Sequence, residues 1–514
     1  MSSALFILFC VITESYTARI LAVFPSPSVS HQVVFRPLTL ELAKRGHELT
    51  IITPDPIFNS KSTENYREID VHNISYSIWQ SQFVYNVGFG MKENMYPQME
   101  TLLTMITEVI SVQLEQPEVQ QLIKNQEKYD LLLLEAWPRQ ALVYTYLFKA
   151  PAILISSLAV MFGKDEDNVG APKHPFLYPM MLQQKIYNLT FWEKIEELSK
   201  RIWFYGVLDA LEAYELEVFR KQLGADLPSY EELSNNIDML FLNSHPMWMN
   251  NQPLPPNVIT MWGIHKNPEK TLPSDLQNYL DSSKNGVIYL SFGSNVFSSL
   301  LAPEKIQVFV RVFSKLPYDV LWKWETDVLP NKSDNIKISK WLPQTDVLKH
   351  PKIKFFITQG GLQSTDEAVS AGVPILGVPM FGDQWFNIDK ILYYKIGVKV
   401  DMETITEEVL EETIQNMLSN RDRYRENTIR LRKLMVDQPQ SALERAVWWT
   451  EYVLRHGGAK HLRAATANMP WTEFYEIEFL LNLAAIAFGV LVSILFIFYL
   501  LWIWLCVRRK QKND

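Results

Sequence analysis

Across 514 residues there are only two cysteines, Cys10 and Cys506, and both stand in apolar segments at the ends of the chain. The body between them carries no thiol, so it holds no disulfide, builds no cysteine-ligated zinc site and gives no redox clue to its compartment. Basic charge is also short, since 49 Lys and Arg against 57 Asp and Glu leave a net charge of −8. With no basic stripe outside the extreme C-terminal tail, this balance argues against a nucleic-acid surface. No internal repeat or low-complexity tract interrupts the chain, and its 47% apolar and 21% charged residues are ordinary for a globular protein. A chain of this length exceeds what one core usually supports, so two domains with attachments are expected.

What the chain does have is concentrated between Trp341 and Gln384, WLPQTDVLKHPKIKFFITQGGLQSTDEAVSAGVPILGVPMFGDQ. This stretch reads as a loop, a buried strand over 354–358, a Gly360-Gly361 turn and a helix over 363–371 stopped by Gly372. A second buried strand over 374–378 and a turn opening at Gly382 follow. Gly360 and Gly361 let the backbone approach a ligand at the strand end, where the free N–H groups of the next helix also point. An anion is expected there, most simply phosphate, in the crevice beyond the carboxyl ends of an open α/β sheet.

The N-terminal part shows the same grammar. The strand RILAVF, the loop PSPSVSH, a helix with Leu38, Leu42 and Ala43 on one face and Gly46 as its stop, and the strand ELTIIT form a βαβ unit. His31 falls in the loop beyond the first strand, where such sheets place ligands. A histidine base needs an orienting carboxylate, and YDLLLLEAW supplies Glu135 at the far end of the buried strand that Asp130 opens. Segments 83–125 and 191–223 read as helical. Their Met91, Met95, Met99, Trp192, Trp203 and Phe204 are expected mostly in the core, with some free to line an apolar pocket. Asp165-Glu166-Asp167 has the DxD form that binds a metal and diphosphate elsewhere, but its polar setting, GKDEDNVG, reads as a solvated turn, and no metal is expected. The strand IDMLFLNS closes the first domain, a Pro- and Asn-rich stretch follows that carries one more strand-like piece and then reads as the linker, and GVIYLSFGS opens the second domain with Gly293 and Ser294 at its end. After Thr406 the chain turns helical.

Taken together these stretches resemble the UDP-glycosyltransferase family, in particular its membrane-anchored animal glucosyl- and glucuronosyltransferases of insect type. The resemblance spans nearly the whole chain and is most specific over 341–384. It implies an α/β GT-B fold, two Rossmann-like domains facing a cleft, with a C-terminal transmembrane helix. By the same resemblance Trp341 stacks on uracil, Gln344 binds the ribose, Glu367 takes the ribose hydroxyls and Ser364 the diphosphate, helped by Ser294, Gln359, Gly360, Gly361 and Gln363. Asp383 and Gln384 hold the donor-sugar hydroxyls, His31 is the general base and Glu135 its partner. Two positions depart from the common pattern: Gln359 stands where many members have His, so a neutral amide must donate to phosphate, and Glu135 replaces Asp, so it must sit back by one methylene. The implied reaction is inverting transfer of a hexose from a UDP-sugar to a hydroxyl of a small lipophilic acceptor, a detoxification-type conjugation without a metal or other cofactor. Glucose is favoured, because no cation accompanies Asp383 and Gln384 to meet a uronate carboxylate. The rival is a catalytically impaired, membrane-anchored binding protein of the same fold. A phosphorylase or an epimerase of that fold does not explain the base pocket together with the anchor. The oligomeric state and the acceptor stay open.

The expected organisation is a signal peptide over 1–18, an acceptor domain over 19–245, a linker over 246–273 and a nucleotide-sugar domain over 274–440. Closing helices over 441–470, a transmembrane helix over 479–507 and a tail over 508–514 complete it. Arg508, Arg509, Lys510 and Lys512 place the tail in the cytosol and the body in the lumen, a single-pass type I arrangement. The final KQKND has the form of a lysine-based retrieval signal suited to the endoplasmic reticulum, or serves only to anchor the helix. Asn73, Asn188 and Asn331 open sequons that would be glycosylated in that topology.

Overall fold

The structure is a computed structural model describing residues 17–57, 64–85, 88–92, 95–266 and 270–511. Nearly all of the expected signal peptide, with Cys10, lies outside the described residues, as do the last three residues, with Lys512.

The first sheet holds β1 (Arg19–Val23), β2 (Glu48–Thr53), β3 (Tyr66–Asp70), β4 (Leu131–Glu135), β5 (Ala152–Ser156), β6 (Ile237–Leu242) and β7 (Val258–Thr260). Its order is β3-β2-β1-β4-β5-β6-β7, every pair parallel. The second holds β8 (Val287–Ser291), β9 (Asp319–Lys323), β10 (Ile336–Ser339), β11 (Ile353–Thr358), β12 (Ile375–Gly377) and β13 (Gly397–Lys399). Its order is β10-β9-β8-β11-β12-β13, again parallel. Runs such as LLLLE, AILIS and VIYLS, buried at every residue, are what parallel strands covered on both faces require. In each sheet the winding reverses once, between β1 and β4 and between β8 and β11, which opens a crevice at the carboxyl ends of those strands.

The helices that matter for the site are α1 (Val29–Lys44), α2 (Met95–Leu114), α3 (Phe191–Leu223), α4 (Leu362–Ala371), α5 (Gln384–Tyr393), α6 (Ala442–His456) and α7 (Ile477–Gln511). Four expectations need correction. His31 does not lie in a loop: α1 begins at Val29, so His31 sits in its first turn, and Pro37 is accommodated inside the helix although it removes one ladder bond. The strand ending at Leu242 is not the last of the first sheet, because Val258–Thr260, the strand-like piece of the stretch that follows, pairs alongside it. Met95, Met99 and Phe204 are buried, but Met91, Trp192 and Trp203 are exposed.

The Asp165-Glu166-Asp167 segment is also not a solvated turn. It opens a short helix, Asp165–Val169, in which Asp165 is buried and accepts from the Phe162 backbone N–H at 3.2 Å. Burial pushes its carboxyl up to about 7. Glu166 accepts from Gln252 and Asp167 pairs with Lys173, so each carboxylate is engaged by the protein itself.

From the end of the second domain the chain returns to the first. α6 starts from a Ser441–Glu444 capping box and lays Ala446, Val447, Val453 and Leu454 against the core formed by Phe35, Leu38 and Leu42 of α1 and by strands of the first sheet. Just beyond α6, buried Asp238 of β6 accepts from the backbone N–H of Ala459 at 2.7 Å and of Ala152 at 3.0 Å. After Trp471–Phe474, α7 runs as one helix whose span Ile477–Arg509, with mean hydropathy 2.7 and none of it buried, is long and apolar enough to cross a membrane.

Asp238→Ala strands two buried backbone donors, one in the returning segment and one at the start of β5. It should cost roughly 2 kcal/mol or more, measured as a lower unfolding midpoint, whereas Asp238→Asn, which keeps one acceptor oxygen, should cost less.

Candidate active site

The crevices of the two sheets face each other and enclose one cavity of about 520 Å³. His31 reaches its wall from the first turn of α1, immediately after β1, and Glu135 is the last residue of the neighbouring β4. The register of the sheet therefore sets the pair, and His31 Nδ1 stands 2.7 Å from Glu135 Oε1. Ser157 Oγ, just past β5, lies 2.9 Å from the same nitrogen. Both contacts use Nδ1, which leaves Nε2 as the ring nitrogen available to a ligand.

Glu135 is 1% exposed, and its burial is compensated by donors. Oε1 also accepts from Trp137 Nε1 at 2.9 Å, and Oε2 accepts from the Ser26 backbone N–H at 3.2 Å. The longer side chain thus closes the pair with His31 and gains two further partners. An imidazole tied to a carboxylate through Nδ1 presents a basic Nε2, and the carboxylate stabilises the positive charge formed when Nε2 takes a proton.

On the opposite wall the ends of β8 and β11 carry the turns at Gly293 and Gly360, with φ of +76° and +86°. A Cβ on Gly360 would meet the Ile388 side chain at 2.7 Å, so glycine is required there for both conformation and space. Gly361 leads into α4, whose first N–H groups open onto the cavity beside Ser364. Gln359 Oε1 accepts from Thr358 Oγ1 at 3.2 Å, and its amide nitrogen lies against the Gly293 turn, occupying space a side chain there would need.

Gln344, Ser364 and Glu367 form one network. Gln344 Nε2 donates to Ser364 Oγ at 2.9 Å and to Glu367 Oε2 at 2.6 Å, while Gln344 Oε1 accepts from the Tyr289 hydroxyl at 3.0 Å. Thr345 Oγ1 donates to the other Glu367 oxygen at 2.6 Å. Burial raises the Glu367 carboxyl, and the Thr345 and Gln344 donors pull it back down. Trp341, 65% exposed, stands at the edge of the same cavity. Gln384 turns its amide oxygen to the backbone N–H groups of Met380 and Phe381, both at 2.9 Å, which leaves its NH2 free to serve as a donor. Asp383 is pushed up to about 6, first by burial, with partial relief from Asn387 and His31.

All the residues expected from sequence line this cavity except Glu135 and Gly360, which stand behind it. Gln363 does so while its Nε2 donates to the Ser157 carbonyl of the first domain at 2.9 Å. Several contributors had not been expected. Asn387 donates to Asp383 Oδ2 at 2.8 Å and to the Gly360 carbonyl at 3.0 Å, and accepts from Trp248 Nε1 at 3.0 Å. Its spacing of four residues from Asp383 was the available signal. Asn295 bridges the domains to Ser28 at 3.0 Å, and Tyr289, Thr345, Ser157 and Trp137 buttress the named residues. The remaining wall is apolar. Met99, Leu102 and Ile106 come from one face of α2, joined by Val33, Trp79 and Phe381. Of the methionines that sequence alone left undivided between core and pocket, Met99 lines the cavity.

The sequence profile of the family described as "UDP-glucoronosyl and UDP-glucosyl transferase" matches residues 19–513. An ecdysteroid UDP-glucosyltransferase of Spodoptera littoralis nuclear polyhedrosis virus is 34% identical over 498 residues, 93% of this chain and 96% of the relative. A UDP-glycosyltransferase, UGT5, of Dactylopius coccus is 34% identical over 495 residues, 95% and 92% of the two chains. Among solved structures, a UDP-glucose: anthocyanidin 3-O-glucosyltransferase in complex with UDP superposes with a TM-score of 0.56 at 16% identity, covering 85% of this chain and 99% of that one. The fold is therefore GT-B.

The raised Asp383 carboxyl fixes the sign of a pH effect. Because its folded value of about 6 exceeds the ordinary 3.8, the ligand-free folded state binds the proton more tightly, and stability falls as pH rises between these values. Asp383→Asn removes this dependence. Its stability relative to wild type should climb by roughly 1–2 kcal/mol from pH 4 to pH 6 in urea unfolding, less than the full shift because the carboxyl faces an open cavity.

Proposed function

The chain belongs to the UDP-glucuronosyl and UDP-glucosyl transferase family, and from that membership we propose that it transfers glucose from UDP-glucose to a hydroxyl of a small lipophilic acceptor, with inversion. Transfer from a UDP-sugar to small acceptors is the activity of the family. The observation that carries the finer reading is the His31–Glu135 pair on one wall of a cavity whose other wall is a glycine turn and a helix N-terminus.

In this mechanism His31 Nε2 takes the acceptor proton and Glu135 stabilises the imidazolium. The freed oxygen attacks the anomeric carbon from the face opposite UDP, so the C–O bond forms as the bond to the diphosphate breaks. Charge then builds on the diphosphate, where Ser294, the Gly360-Gly361 turn, the first N–H groups of α4 and Ser364 meet it, with the Gln359 amide as a further donor. Trp341 stacks on the uracil, while Gln344 and Glu367 hold the ribose and Gln363 steadies the same wall. Asp383 and Gln384 hold the sugar. Asn387 keeps Asp383 and the glycine turn in fixed relation.

Glucose is preferred over glucuronate because, among the described residues, Asp383 and Gln384 bond to Asn387 and to backbone N–H groups and to no Lys or Arg, so this pair itself brings no cation to a uronate carboxylate. The glucosyl names of the viral relatives support the same choice. An acceptor wall of Met99, Leu102, Ile106, Trp79 and Phe381 offers area rather than polar recognition, which suits conjugation of varied apolar compounds of the detoxification type. α7 serves as a single-pass anchor with the body in the lumen of the endoplasmic reticulum and Arg508 and Arg509 in the cytosol. The exposed Asn73, Asn188 and Asn331 are then its glycosylation sites. The domain before the linker takes the acceptor, and the one after it takes the nucleotide sugar.

Acceptor-dependent UDP release by the detergent-solubilised protein, with EDTA present and a panel of phenols and alcohols, should occur with UDP-glucose and be weak with UDP-glucuronate. The reverse preference overturns the donor assignment, and UDP binding without release under either donor favours a binding protein. His31→Ala should lower kcat by about 10²- to 10⁴-fold, the range of general-base catalysis, with UDP affinity nearly unchanged. Loss of UDP binding instead would remove His31 from the role of base.

A further inference from the structure

Two carboxylates stand next to each other on α4 and face different ways. Glu367 lines the cavity, while Asp366, 2% exposed, turns from it toward the stretch that leaves the first sheet. There Trp262, just past β7, donates from Nε1 to Asp366 Oδ1 at 2.7 Å. Asp366 Oδ2 is buried with no hydrogen-bond partner among the described residues. One neutral donor is poor compensation for a buried carboxylate, and a second carboxylate lies a residue away. Burial pushes both carboxyls up.

The compensating charge comes from Lys266. A turn at Gly263, where φ is +77°, carries the chain back so that the Lys266 backbone N–H donates to the Gly263 carbonyl at 3.1 Å and the side chain folds over the Trp262 ring. Lys266 Nζ stands 3.2 Å from the centre of that ring, well within cation–π range. A Cβ on Gly263 would meet Nζ at 2.7 Å, so the glycine also clears the space that the ammonium occupies. Trp262 is itself held, edge-on to His245 with ring centres 6.2 Å apart, and the nearby Thr260 carbonyl accepts from Arg445 of α6 at 3.0 Å. Burial pulls the Lys266 ammonium down, and the charges of Asp366 and Glu367 hold it up. In return Lys266 draws both carboxyls down. Asp346, in the helix segment that carries Gln344 and Thr345, pushes Glu367 the opposite way.

Glu367 needs its charge. Its oxygens already accept from Gln344 and Thr345, and two ribose hydroxyls bring the donors up to about the four lone-pair sites that an ionised carboxylate offers. A protonated carboxyl turns one of those sites into a donor and loses part of the diol. On the reading above that Glu367 takes the ribose, we propose that Lys266 is a positioning residue for donor binding: held on the Trp262 ring behind the cavity wall, its ammonium offsets the Asp366–Glu367 pair and keeps Glu367 an acceptor for both ribose hydroxyls. The ribose subsite is thereby completed by the stretch that joins the two domains, not by the second domain alone.

The test compares UDP with 2′,3′-dideoxyuridine diphosphate, which lacks the diol, by titration calorimetry on the detergent-solubilised full chain. Wild type should bind UDP about tenfold or more tighter than the analogue, the worth of one hydrogen bond to a charged group. Lys266→Met should lose most of that preference, weakening UDP about tenfold while affinity for the analogue changes less than about twofold, and Lys266→Arg should keep it. A Lys266→Met protein with the wild-type preference and a lowered unfolding midpoint makes the lysine a counter-charge for Asp366 alone and overturns the proposal. Equal affinity of wild type for the two ligands overturns the ribose reading itself, and the proposal with it. Should Lys266→Met fail to fold, the double variant Lys266→Met/Asp366→Asn removes the buried charge pair and keeps an oxygen for Trp262, yet leaves Glu367 without its cation. It should show the same lost preference, and a wild-type preference there overturns the proposal.

Discussion

Everything at the site depends on where the winding of each sheet reverses. A parallel sheet wound outward in both directions leaves one gap at the carboxyl ends of its central strands, because the helices that follow them depart to opposite faces. In the first sheet that gap lies between β1 and β4, and it holds His31 and Glu135. In the second it lies between β8 and β11, and it holds the Gly293 and Gly360 turns. The two gaps are held face to face by Asn295 on Ser28, Gln363 on the Ser157 carbonyl and Trp248 on Asn387. The return of α6 to the first domain, pinned near its end by Asp238, limits how far they separate.

Within that frame, the buried polar groups that build the site are held by partners of their own. Glu135 is nearly inaccessible yet accepts from a backbone N–H and an indole besides facing the imidazole. Glu367 has one donor on each oxygen, and Asn387 ties a carboxylate, a backbone carbonyl and an indole of the other domain into one network. Fully partnered groups of this kind are rigid, which is what positions a donor and an acceptor for attack along one line. Asp383 is the exception in degree. It has a single amide donor and burial pushes its carboxyl up, as suits a group whose remaining partners are a ligand's hydroxyls.

Much of this was legible in the residues. The continuous apolar runs specify parallel strands, and the Gly-Gly turn before a helix specifies an anion site, because both follow from local rules of burial and backbone conformation. Less was legible where a side chain's surroundings come from distant segments. Asp165 sits in a polar loop by sequence but is buried in a short helix, and the serine- and proline-rich run read as a loop up to His31 already turns helical at Val29. Trp192 and Trp203 follow the helical period like any core residue, and only the packing of α3 shows that they face outward.

The sequence by itself determined the two βα-patterned domains, the positions of the strand ends and the residue types offered at them, since periodicity and turn chemistry act over a few residues. It also determined the apolar C-terminal segment, whose length and composition are read directly. Tertiary structure alone decided that Glu135 reaches Nδ1 of His31, that Ser157, Tyr289, Thr345 and Asn387 support the site, and that α3 turns its aromatic face outward. Those outcomes depend on strand order and on the docking of the two sheets, which bring together residues as far apart as Ser28 and Asn295 or Trp248 and Asn387. No local pattern encodes which distant partner a side chain will meet.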